Sequence, residues 1–146
     1  MMRLDRVMVV LVALLGAVEV RAGGLVHIEV GRIPAQVELA TTNAELQHGL
    51  MGRTSLAPDG GMLFVLPPQA LRCVWMKDTP LPLSAAFLGA NGTIRQIVDM
   101  KPMTLDFHCG PRTSRFVLEM GYGWFTRHGV NIGMRVGLEE VRSGVP

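Results

Sequence analysis

The sequence predicts a mainly β protein, a compact antiparallel β-sandwich or barrel of about 7–9 short strands with two short helices. Three observations predict it. Turn-forming clusters of Gly, Pro, Asn and Asp recur about every ten residues. The runs between them either alternate or are wholly apolar, without a sustained helical period. Asn91-Gly92 also sits between two apolar runs, the strongest short-range hairpin signal.

Leu25-Val26-His27-Ile28-Glu29-Val30 alternates and is rich in β-branched residues, which predicts a strand. After a turn at Gly31–Pro34, Ala35–Ala40 alternates again, and the two read as antiparallel neighbours with one wet face. Thr42-Asn43-Ala44-Glu45 is a capping box, opening a short helix through Leu46 to about Met51. Gly49 within it costs about 1 kcal/mol relative to alanine, which implies close backbone packing there. Pro58–Gly61 is a turn, and Met62–Leu66 is a wholly apolar strand buried on both faces, ended by Pro67-Pro68. Arg72–Met76 resumes as a strand until Pro80 and Pro82. Leu83–Leu88 and Thr93–Met100 flank the Asn-Gly turn as a hairpin. Lys101–Arg112 is an irregular excursion carrying His108 and Cys109. Ser114–Met120 is a strand, Gly121–His128 a short helical turn burying Trp124 and Phe125 before Gly129, and Met134–Val141 the last strand. No internal repeat or low-complexity tract is present.

The N-terminus has the layout of a secretory signal peptide. Arg3 and Arg6 precede an aliphatic run, Val7–Val18, and Val20-Arg21-Ala22 supplies small residues at the cleavage positions. This divides the chain into a signal peptide, residues 1–22, and a single β-rich domain, residues 23–146, periplasmic or secreted. The apolar run is well short of the roughly 20 residues a spanning helix needs, so no stable membrane span is expected after cleavage. Beyond residue 22, eleven Lys and Arg face ten Asp and Glu, and no basic stripe with interleaved aromatics suggests nucleic acid. Cys73 and Cys109, the two cysteines, read as a disulfide in an oxidising compartment, contributing about 4 kcal/mol in the chain-entropy model. Two free thiols or half of a metal site are the competing readings. Without a Cys-x-x-Cys or paired histidines at ligand spacing, neither a metal nor a cofactor is expected.

Charged and bulky apolar groups crowd most densely between Gly60 and Thr79. Continued as a strand, Trp75, Lys77 and Thr79 share one face, with Met76 and Asp78 on the other. The functional reading is a pocket with an aromatic wall, a cation for an anionic ligand group and a nearby carboxylate. The structural reading is that Lys77 and Asp78 pair with charges such as Glu119 and Arg53 at the edge of a β core. The candidate binding residues are therefore Arg53, Trp75, Lys77, Asp78, Thr79 and Glu119. No Gly-x-Ser-x-Gly elbow is present, and His108 beside Cys109 reads as the neighbour of a disulfide rather than the activator of a thiolate. Met100 and Met103 near His108 raise a copper reading, against the use of Met62, Met76 and Met120 as core filler. The leading expectation is a non-catalytic module that binds a small molecule or a peptide in a pocket lined by Trp75, Lys77 and Arg53. A hydrolase using Asp78 and Lys77 as acid–base partners is the alternative, and copper handling the third reading.

One further signal comes from the order of short motifs. Gly49-Leu50-Met51 with Arg53, Gly61-Met62-Leu63-Phe64, and Trp75-Met76-Lys77 with Thr79 are followed by Pro82-Leu83, Leu118-Glu119, Gly123-Trp124-Phe125, and Gly129 with Gly133. In this order and spacing, along residues 36–138, the chain resembles the family catalogued as domain of unknown function 192, small bacterial and archaeal proteins, many of them exported. The resemblance implies a compact β-rich domain with short helices and an uncharacterised function. Three positions depart from the family pattern: Asp78 stands where Asn is usual, Ser84 where an acid is usual, and Met134 follows Gly133 where the family often reads Gly-Asp.

Overall fold

The structure, a computed structural model, describes residues 24–144; the expected signal peptide lies outside the described residues. The strands are β1 (Leu25–Val30), β2 (Ile33–Ala40), β3 (Gly60–Val65), β4 (Cys73–Val74), β5 (Leu83–Gly89), β6 (Ile94–Met100), β7 (His108–Cys109) and β8 (Ser114–Gly121). The helices are α1 (Asn43–His48), α2 (Trp124–Arg127) and α3 (Glu139–Gly144). Six strands form one sheet in the order β1-β2-β3-β8-β5-β6, and β4 and β7 form a separate two-stranded ribbon. The fold is mainly β, as the sequence predicts, but the sheet is mixed because β2 and β3 run parallel. A parallel pair needs a long crossover, and α1 with the loop up to Asp59 supplies it.

Both faces of the sheet are buried. On β5, Ala86 and Leu88 point into one apolar cluster and Leu83, Ala85 and Phe87 into the other. The first cluster is closed by Trp124 and Phe125 of α2, by Val130 and Val136, and by Leu138 and Val141. The second is closed by Leu50 and Met76, with Leu46, Leu56 and Val74 packed at its edge.

The capping box forms as read. Glu45 N–H donates to Thr42 Oγ1 at 3.2 Å, and Thr42 N–H donates back to Glu45 Oε2 at 3.0 Å. The Thr42 and Thr41 backbone N–H groups, both donating to Glu45 Oε2, hold the Glu45 carboxyl below its ordinary range. The helix stops at His48 rather than Met51, because Gly49 turns out of it with φ +48°. A Cβ there would press on the Phe64 ring at 3.2 Å, which accounts for the glycine.

Two expected strands change. The one read from Arg72 to Met76 shrinks to Cys73–Val74, since Met76 N–H donates instead to Thr104 O at 3.2 Å. The last, read from Met134 to Val141, is not a strand. Residues 133–137 straddle the two edges of the sheet at one end. Gly137 N–H and Gly31 N–H bond them to the β1 side, through Glu29 O and Arg135 O, each at 2.8 Å. Ile94 N–H donates to Met134 O at 2.8 Å and Val136 N–H to Gly92 O at 2.9 Å on the β5–β6 side. The chain then enters α3, where Glu139 and Glu140 favour a helix N-terminus and Leu138 and Val141, three apart, share its buried side. Within the otherwise irregular Lys101–Arg112 excursion, His108–Cys109 pairs antiparallel with β4, so the Cys73–Cys109 disulfide joins two strands rather than a strand and a loop. Among the described residues no helix is long and apolar enough to cross a membrane.

Candidate functional site

Over the second cluster the cover is in two pieces, and a cleft of about 620 Å³ opens between them. One wall is α1 and the turn that follows, through His48, Gly49 and Met51. The other is the disulfide ribbon and its continuation, through Trp75, Phe107, Lys77 and Thr79. Phe64 and Glu119, from β3 and β8, line it from the sheet.

The antiparallel register of the ribbon builds the aromatic wall. Cys73 lies opposite Cys109, so two residues further along Trp75 meets Phe107. The two rings stack with centroids 5.4 Å apart and planes 8° from parallel. Lys77 Nζ lies 5.8 Å from the Trp75 ring centroid and 3.5 Å from Asp78 Oδ2. Asp78 has φ +52°, in the left-handed region where Asp and Asn are the residues most readily accommodated after glycine. Backbone geometry therefore explains why Asp can replace the Asn usual at this position. The Asp78 carbonyl accepts from Gly52 N–H at 2.8 Å, tying the two walls together at one point. Thr79 is buried, and its Oγ1 donates to Lys77 O at 3.0 Å, bracing the same turn.

Glu119 differs from the rest. It sits on β8 between Met62 of β3 and Ala85 of β5, 4% exposed, and no hydrogen bond or ion pair to its carboxyl is formed among the described residues. Burial pushes its pKa up to about 8, so near neutral pH it is mainly a neutral acid. Such a group can donate one hydrogen bond, accept others, or ionise against an incoming cation.

The structure thus brings Trp75, Lys77, Thr79 and Glu119 to one cleft, but not Arg53 or Asp78. Arg53 Nη2 pairs with Glu38 Oε2 at 2.6 Å, in an adjoining depression lined also by Glu45 and Met62 that meets the cleft at Ala44, His48 and Gly49. Its hydrogen bond to Glu38 raises the guanidinium pKa further. Among the described residues the expected pairings of Lys77 with Glu119 and of Asp78 with Arg53 are absent. Lys77 pairs with its neighbour Asp78, and Arg53 with Glu38 on β2. Phe107 and Gly49 belong to the cleft and were not among the sequence candidates. Phe107 was available from the cysteines, because an antiparallel pair at Cys73 and Cys109 puts it opposite Trp75.

Other singled-out residues serve packing or the backbone. Ser84 Oγ donates to Asp99 Oδ1 at 2.5 Å and accepts from Gly123 N–H at 2.9 Å, so a neighbouring strand supplies a carboxylate close to where the family usually carries one. Met100 is buried in the second cluster whereas Met103 is exposed. Among the described residues no three His, Cys, Asp or Glu side chains gather as a metal site.

Comparison with known proteins agrees with the motif order. The chain is similar in structure to a protein from Sinorhizobium meliloti 1021 described as a "putative transcription regulator", with a TM-score of 0.67 and 34% identity, covering 75% of this chain and 88% of that one. It is also similar to a protein of unknown function from Novosphingobium aromaticivorans DSM 12444, with a TM-score of 0.70 and 29% identity, covering 77% of this chain and 84% of that one. No curated protein matches in sequence. Residues 26–138 match the DUF192 family, described as Uncharacterized ACR, COG1430, and the chain belongs to that family.

Proposed function

We propose that this chain is an exported, non-catalytic module that holds a small molecule in the cleft between α1 and the disulfide ribbon. The observation that carries the reading is the cleft's composition, a rigid aromatic stack on one wall and a buried acid without a protein partner on the sheet side. Its volume of about 620 Å³ falls within the roughly 300–1,000 Å³ usual for small-molecule sites. Export is supported by the basic, aliphatic and small-residue layout of the first 22 residues and by the Cys73–Cys109 bond. A hydrolase working through Asp78 and Lys77 lacks support from this geometry, because Asp78 lies outside the cleft with its carboxylate against Lys77. The regulator description of one structural relative is not carried over. The described helices, of six, four and six residues, are short for major-groove reading.

Native mass spectrometry of protein purified from the periplasm, without reductant or added metal, tests the proposal. The expected result is a bound small-molecule mass that denaturation releases and that Trp75→Ala removes. A bound mass that survives both Trp75→Ala and Phe107→Ala with the fold intact would place the ligand elsewhere and overturn it.

A further inference from the structure

Glu119 is the one buried ionisable group in the cleft for which the fold provides no counter-charge. A carboxyl group so placed has no protein partner in either state. Ionised, it meets the cost of burial without a counter-charge; neutral, its donor and acceptors are met only from the cleft. A hydroxyl ligand would meet the hydrogen bonds only. A cation would meet them and also supply the missing charge, in a setting of low dielectric where that attraction is strong. The Trp75–Phe107 stack adds a flat apolar wall that suits an aryl or alkyl body. Lys77 does not oppose this, since its ammonium is answered by the Asp78 carboxylate 3.5 Å away.

We infer that the cleft recognises an organic cation, a primary amine on a flat apolar body, whose ammonium pairs with the Glu119 carboxylate while the body lies along Trp75 and Phe107. This inference rests on the cleft reading above. Binding transfers the Glu119 proton to solvent and replaces it by the ligand's ammonium. The other titratable groups lining the cleft are His48, exposed on α1, and Lys77.

Three probes of matched shape separate the possibilities: phenethylamine, 2-phenylethanol and 3-phenylpropionate. Calorimetric titration of the periplasm-purified protein at pH 7, in phosphate and in MOPS, reads affinity and proton release together. Phenethylamine is expected to bind at least about tenfold more tightly than the alcohol. It should release about 0.9 proton per ligand at pH 7, as a group titrating at about 8 requires. Its affinity should rise about tenfold from pH 6 to pH 7. In Glu119→Gln, isosteric with the neutral acid, amine affinity should fall to that of the alcohol and proton release should vanish. In His48→Gln, which removes the cleft's histidine, proton release should persist. If Glu119→Gln does not fold, the pH dependence of the wild type and the proton release of His48→Gln still decide.

Equal affinity for amine and alcohol, or amine binding without proton release, would overturn the inference. Trp75-dependent binding of 2-phenylethanol or 3-phenylpropionate in that case would leave the cleft reading standing. No binding of any probe, with Trp75 emission unmoved, would count against both.

Discussion

The two faces of the sheet are covered in different ways, and the difference separates a closed core from an open cleft. The first face is closed by one continuous stretch, from Trp124 through α3, whose apolar residues fill the space and whose buried polar atom is met: Trp124 Nε1 donates to Asp59 Oδ1 at 3.0 Å. The second face is closed by two pieces distant in sequence, α1 with its turn and the β4–β7 ribbon. They leave a gap, and the acid beneath it stays unpartnered. A core closed by a single element has no reason to keep a lone carboxyl. A core roofed by two separate pieces leaves room for a guest to supply what the chain does not.

Substitutions should follow this division. The largest effect belongs to the first face. Trp124→Ala removes a fully buried ring and leaves Asp59 without its donor, and should cost about 3–5 kcal/mol in urea unfolding. Removing the disulfide with Cys73→Ser and Cys109→Ser should cost about 2–4 kcal/mol. That loss should fall on the second face, with the exposed Trp75 fluorescence changing while the near-ultraviolet signal of buried Trp124 persists. If both tryptophans respond alike, the two covers are one cooperative unit and the comparison breaks.

Glu119 sharpens the contrast through pH. Its folded pKa is raised, so the native state holds a proton that the unfolded chain has lost, and the stability this contributes is full below about pH 4.5 and declines as pH rises towards 8. The wild type should therefore lose about 1.4 kcal/mol per pH unit within that window relative to Glu119→Gln, as measured by urea titrations at several pH values. Parallel pH curves for the two proteins would show that Glu119 is not held neutral. Smaller effects belong to the rim. Thr42→Ala should cost about 1 kcal/mol through the lost cap of α1. Arg53→Ala should cost at most about 1 kcal/mol, because its pair with Glu38 is half exposed.

Local signals made much of this legible in the sequence. The capping box at Thr42, the Asn91-Gly92 hairpin, the β1–β2 pair and the cysteine pairing depend on neighbours a few residues away or on simple arithmetic, and all four form. The parallel β2–β3 pairing depends on where a crossover lands, which no local pattern encodes. Met134, Val136 and Leu138 alternate and so read as a strand, yet Val136 lies in an edge-to-edge bridge and the chain then enters a short helix that buries Val141. At the site, Trp75, Lys77 and Thr79 were grouped by strand alternation and do meet at the cleft, although the strand itself ends at Val74. Arg53 lies apart from them because its partner, Glu38, sits on β2, fifteen residues earlier, and the two meet only in space.

The most direct measurement is the titration of the Glu119 side-chain carboxyl by carbon-13 NMR, on free protein and with phenethylamine present. The account predicts a midpoint at about 8 in the free protein, moving down when the amine occupies the cleft. A midpoint near the ordinary carboxyl value of about 4.3, unchanged by the amine, would contradict it.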